Sequence, residues 1–143
     1  MSQNTPRRKQ GEKSAPAGFA ETERPFLHEE IVRGVEARRV KALIERGVLS
    51  AKQVFRLIPE RTFNRRVANR EPLKPGEADA IARLLRITEM ATETLGDAPF
   101  ARKFLSLPNP ALNDRVPFEL AETDAGAREV EAILARIADG VYS

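Results

Sequence analysis

From Phe26 to Ile137 the large apolar residues recur three or four positions apart, and no stretch alternates apolar with polar. That spacing gathers them on one face of a helix with 3.6 residues per turn, whereas a half-buried strand needs a period of two. An all-α fold held by helix-on-helix packing is therefore predicted. Ile31 and Val35 begin one stripe, and Val40, Leu43 and Ile44 continue it. Gly47 reads as a stop, and Ser50 as the N-cap of a short helix whose buried side is Leu49, Val54, Leu57 and Ile58. Pro59 ends that helix and suits the start of the next, because it has no N–H and its φ is preset. On the next helix Phe63 and Val67 point inward, leaving Arg61, Thr62, Asn64, Arg65 and Arg66 outside. A glycine turn, a short helix, a proline turn and a basic helix make the layout of a helix-turn-helix, whose second helix enters the major groove.

The remainder reads as helices with ordinary punctuation. Pro75 lies in the first turn of a long helix, with Glu77 and Asp79 near its positive end. Its stripe runs from Ala78 and Ile81 to Leu95, and Gly96 stops it. Asp97 caps a short helix through Leu105, and Val116–Leu120 is one further helical turn. Thr123 caps a last helix from about Asp124 to Ala138 that Gly140 ends. The stripe from Ile81 to Leu95 is a candidate dimer interface.

Composition bounds the chemistry. Cysteine is absent and His28 is the single histidine, which argues against a disulfide framework, a metal site and a His-based catalytic centre. No nucleophile–base pair or phosphate-cradling glycine loop is visible, so neither catalysis nor a cofactor is expected. No apolar run is long enough for a membrane span, and no secretory signal is seen, so a cytoplasmic protein is expected. The net charge of +3 hides an asymmetry: residues 26–75 carry twelve Lys/Arg against six Glu, while residues 76–143 carry seven against twelve Asp/Glu. A basic middle suits a polyanion, and an acidic end suits a basic partner. Residues 1–25 hold three prolines and two glycines among polar residues and are expected to be a disordered arm.

The basic helix carries the most specific chemistry. Arginine pairs bidentately with guanine edges or phosphate oxygens, and asparagine with adenine. Arg61, Arg65 and Arg66 are the main candidates for DNA contact, with Thr62 and Asn64 beside them. Lys52 and Arg56 on the preceding helix are candidates for clamping phosphates. The bland alternative is a solvated basic face, or a helical adaptor that binds protein instead of DNA.

Several ordered pieces resemble the Xre/MbcA/ParS antitoxins, the partners of RES-domain toxins. Arg61-Thr62-Phe63-Asn64-Arg65-Arg66 looks like that family's recognition stretch, and Leu73-Lys74-Pro75-Gly76-Glu77-Ala78-Asp79 like the entry that follows it, with Lys74, Gly76 and Ala80 departing from the pattern. Gly96-Asp97, Phe104-Leu105, Pro108-Asn109-Pro110-Ala111-Leu112 and Pro117-Phe118-Glu119-Leu120 follow in the family's order. Phe104 stands where the family has tryptophan, and Asn113-Asp114 where it has a glycine pair. The close, from Thr123 to Glu131 and from Ile137 to Ser143, is also similar.

The resemblance implies a helix-turn-helix unit over residues 26–72 that represses its own operon, and a toxin-binding unit over 73–143. The partners implied are a RES-domain toxin that consumes NAD or ADP-ribosylates, operator DNA, and a second copy within a larger toxin–antitoxin assembly. In the family the last helix and tail cover the toxin's NAD pocket. That places Arg128, Glu131, Arg136, Asp139, Val141, Tyr142 and Ser143 against the toxin. Tyr142 is the single tyrosine and suits an interface anchor. A transcription factor without a toxin partner is the remaining alternative.

Overall fold

The structure is a computed structural model in which residues 24–140 are described. The described residues form eight α-helices: α1 (His28–Arg33), α2 (Ala37–Glu45), α3 (Ala51–Leu57), α4 (Glu60–Ala68), α5 (Pro75–Leu95), α6 (Ala98–Ser106), α7 (Pro117–Leu120) and α8 (Asp124–Gly140), with a 3-10 turn at Pro110–Leu112. They contain no strand, and the all-α expectation holds. Most of the arm, residues 1–23, and the tail Val141-Tyr142-Ser143 lie outside the described residues.

The expected stripe from Ile31 through Ile44 is not one helix. Gly34 adopts φ +113°, and the chain runs extended through Val35 and Glu36 before α2 starts. There the Leu73 N–H donates to the Val35 carbonyl at 2.7 Å, and the Ala37 N–H donates to the Glu71 carbonyl at 3.0 Å. The break thus lets backbone groups after α4 find partners in the α1–α2 link, which a continuous helix would have consumed.

The short helices are set by local capping. Ser50 Oγ accepts the Gln53 N–H at 3.1 Å while Gln53 Oε1 accepts the Ser50 N–H at 3.0 Å, a reciprocal capping box that starts α3. Pro59 stands immediately before α4 in extended backbone. Asp97 Oδ2 accepts the Phe100 N–H at 2.8 Å to start α6, and Thr123 Oγ1 accepts the Gly126 N–H at 3.0 Å to start α8. These three caps stand where the sequence places them; α8 runs two residues past Ala138, through Gly140.

Helix α5 is the central post. Its side chains Ile81, Leu84, Leu85, Ile87 and Ala91 are fully buried, and it packs most extensively against α6 and α8. Its buried Thr88 and Thr92 hydroxyls donate to the carbonyls four residues back, at 2.9 and 2.8 Å, so neither is left unpaired in the core. The stripe from Ile81 to Leu95 is consequently consumed inside the chain. It is not available as a dimer interface, because α6 and α8 already cover it. One hydrophobic cluster runs from Phe26 and Val40 through Phe63 and Ile81 to Ile133 and Leu134, and so links the basic and acidic stretches.

Candidate nucleic-acid and toxin interfaces

Helices α3 and α4 meet at the Ile58–Pro59 turn, with Ile58 fully buried. Phe55 and Phe63 lie edge to face at 5.9 Å, fixing the two helices against each other. Phe63 is buried and Val67 half-buried, as their i, i+4 spacing predicts. Arg61, Asn64 and Arg65 are exposed along one side of α4, and Thr62 is half-buried. Arg65 keeps 58% of its side chain exposed and approaches Glu71 at 3.7 Å, a loose surface pair that a phosphate or base can displace.

Arg66 does not stand outside. It is 7% exposed, and its guanidinium donates to Glu77 in the first turn of α5. The same Glu77 Oε1 accepts the Lys74 N–H at 2.8 Å. The physical reason is position: Arg66 follows Phe63 by three residues, on the inward side of α4, and its apolar stem lies in the core while its head finds a carboxylate. One carboxylate thereby joins the end of the basic helix to the start of the central post. In this chain Arg66 holds the basic helix in place and is withdrawn from the exposed cationic face.

Lys52 and Arg56 lie four residues apart on α3, and both are exposed. Arg56 is not idle. Its Nε donates to Glu122 Oε2, and its Nη2 to Glu122 Oε1 at 3.3 Å, a two-point clasp across 66 residues of sequence. The hydrogen bond and charge of Glu122, with a smaller contribution from Glu119, push the Arg56 guanidinium's affinity for its proton up. Arg83 of α5 donates to the Glu122 carbonyl at 3.4 Å. Sequence reasoning places Glu77 at the start of α5 but misses its pairing with Arg66, and it does not find Glu122. A carboxylate at the third position of a capping box is a visible signal for Glu77; nothing local points to Glu122.

Helix α8 seals Ala127, Val130, Ile133 and Leu134 into the core and turns a different face outward. On it Arg128 and Arg136 are exposed, with the small residues Ala132 and Ala135 between them and Asp139 near the end. Arg128 Nε donates to Asp124 Oδ2 at 3.0 Å, one turn back. Glu131 is half-buried and accepts from Arg86 Nε of α5 at 3.0 Å, which ties it to its own fold. The expected contacts through Val141, Tyr142 and Ser143 fall outside the described residues. The 3-10 turn is followed by Asn113 and Asp114 at φ +58° and +62°. A glycine pair suits such backbone, and asparagine and aspartate are the residues that best tolerate it otherwise. Phe104 is half-buried against the core, while Phe100 on α6 and Leu107, just past the end of that helix, are 53% and 50% exposed.

Among the described residues no group of three or more His, Cys, Asp or Glu side chains is placed to hold a metal ion. No described helix is long and apolar enough to cross a membrane.

Comparison with known proteins finds relatives of this chain. Residues 90–140 match the family described as "Antitoxin Xre/MbcA/ParS C-terminal toxin-binding domain". The Antitoxin Xre of Pseudomonas putida is 34% identical over 114 residues, spanning 80% of this chain and 72% of that protein. The Antitoxin Xre of Yersinia enterocolitica is 36% identical over 87 residues, 60% of this chain and 59% of that protein. That of Photorhabdus laumondii is 24% identical over 129 residues, 88% of this chain and 87% of that protein. The chain belongs to the Xre/MbcA/ParS family of antitoxins.

Proposed function

We propose that this chain neutralises a RES-domain toxin that consumes NAD or ADP-ribosylates, by laying α8 and the tail over the toxin's NAD pocket, and that it represses its own operon through α3 and α4. The observation that carries the first part is the outward face of α8. Its inner side is committed to the core, so the outer side, small at Ala132 and Ala135 and charged at Arg128, Arg136 and Asp139, is what a partner meets. A pocket built for a pyrophosphate is lined with basic groups, and the acid surplus over residues 76–143 suits such a surface for steering and fit. The second part rests on the exposed row Arg61, Asn64 and Arg65 on a helix set against its neighbour by Phe55 and Phe63. A symmetric pair of chains on two half-sites completes the repressor reading. The chain acts in the cytoplasm as a binding protein and not as an enzyme.

Co-expression with the toxin encoded beside it is the test. The full chain restores growth, and a chain lacking Val141-Tyr142-Ser143 loses most of that protection. Equal protection from both would remove the plugging mechanism while leaving antitoxin activity in place.

A further inference from the structure

The clasp between Arg56 and Glu122 joins the two interfaces. Arg56 lies on the exposed side of α3, one turn beyond Lys52, where the first helix of a helix-turn-helix passes along the DNA backbone. Glu122 lies directly before Thr123, whose hydroxyl starts α8. The two side chains are 44% and 24% exposed, and they line a cleft of about 170 Å³ with Lys52, Gln53 and Glu119. A carboxylate gripping a guanidinium at two points offers the same geometry that a phosphate would.

We propose that Glu122 is an intramolecular stand-in for DNA phosphate: it occupies Arg56 in the unbound chain, lowers operator affinity, and couples the seating of α7 and α8 to the strength of DNA binding. This rests on the DNA-binding reading above. Three observations favour the role over a purely structural one. The pair is half-exposed, so its net strength is modest and an incoming phosphate can exchange with it. The carboxylate belongs to the segment that starts the toxin-facing helix, so a partner that shifts this segment changes what Arg56 can reach. The backbone of Glu122 is held separately by Arg83, so the carboxylate can release Arg56 while the segment keeps an anchor to α5.

The test measures binding to a duplex from the region upstream of the gene, against a shuffled duplex of equal length, over a range of salt. Glu122→Gln is expected to raise affinity by roughly two- to five-fold, the range that a half-exposed ion pair spans. It should also steepen the log–log salt dependence by up to about 0.9, the value of one added phosphate contact. In an Arg56→Ala background the same change should have no such effect, and Glu119→Gln, which removes a neighbouring charge without touching the clasp, should do much less. A Glu122→Gln gain that survives in Arg56→Ala, or that Glu119→Gln matches, is long-range repulsion and overturns the proposal. So does unchanged binding by a Glu122→Gln chain with native helicity. If neither the parent chain nor Glu122→Gln prefers the upstream duplex, the DNA-binding reading itself fails. If the parent prefers it and loses that preference on Arg65→Ala, the reading stands and the clasp is judged alone.

Discussion

Gly126 lies so close to Leu120 that a β-carbon on it would sit 1.9 Å from the Leu120 carbonyl oxygen and 2.7 Å from the carbonyl carbon. Those are backbone atoms, so no side-chain rotation relieves the clash. The glycine is what lets α8 start directly against the end of α7. Gly126→Ala must push the two helices apart and disturb the Thr123 cap, whose hydroxyl receives the Gly126 N–H. Overpacking a tight core typically costs about 1–3 kcal/mol, and backbone contact puts this site at the top of that range or above it. Chemical denaturation should show the loss, together with weaker protection against the toxin.

Arg65 and Arg66 are adjacent, yet they should fail in opposite ways. Arg65→Ala removes an exposed side chain and should leave stability within about 0.5 kcal/mol. If Arg65 reads a base, operator binding should fall by about 1–3 kcal/mol. Arg66→Ala takes the guanidinium away from a largely buried Glu77, which keeps the Lys74 N–H as a donor. Breaking a fully buried pair costs about 3–5 kcal/mol, and the partial exposure of Glu77 brings the expected loss to about 2–3 kcal/mol. Denaturant unfolding and salt-dependent gel shifts on the two variants separate the outcomes.

The contrast also marks what the sequence could tell. Ser50, Asp97, Thr123, Pro59 and Pro75 were legible because a cap or a helix-starting proline acts within three residues of itself. The exposed row on α4 was legible for the same reason, since a 3.6-residue period sorts faces locally. The place of Arg66 is not legible there, because the period gives a direction and not a destination. Its long stem can enter the core when a carboxylate waits there, and that carboxylate is eleven residues away on another helix. The break at Gly34 was hidden because the apolar spacing continues across it; the bond from Leu73 to Val35 decides it, and that contact exists only once the chain has folded back. Glu122 had no local signature at all.

The α3 cap gives a measure of how far the nucleic-acid face depends on local order. Replacing Ser50 with alanine removes the acceptor for the Gln53 N–H and half of the capping box. The expected loss is about 1 kcal/mol. Because Lys52 and Arg56 ride on this seven-residue helix, the loss should also weaken operator binding slightly. Ser50→Asp keeps an acceptor at the same place and should recover stability. Thermal melts of the three chains check the order.

Two glutamates should give opposite signs in an acid titration. Glu30 is held below the ordinary carboxylate range, first by the Leu27 N–H at 2.7 Å and then, against some desolvation, by Arg39 and Arg24. Its stabilising effect is therefore present above the unfolded-state value and is lost as pH falls through the lower folded-state value. Glu89 is pushed up, first by burial and then by the charge of Glu93 one turn on. Its ionisation costs the fold something: stability is fully present below the unfolded-state value and declines as pH rises through the higher folded-state value. Glu30→Gln should thus lower stability at pH 7 by up to about 1 kcal/mol, and that deficit should vanish in acid. Glu89→Gln should raise stability at pH 7 by up to about 0.5 kcal/mol and lose its advantage in acid. Denaturation midpoints of the parent and both variants between pH 3 and 7 decide it. A Glu89→Gln chain no more stable than the parent at pH 7 would show that solvent already relieves the repulsion from Glu93.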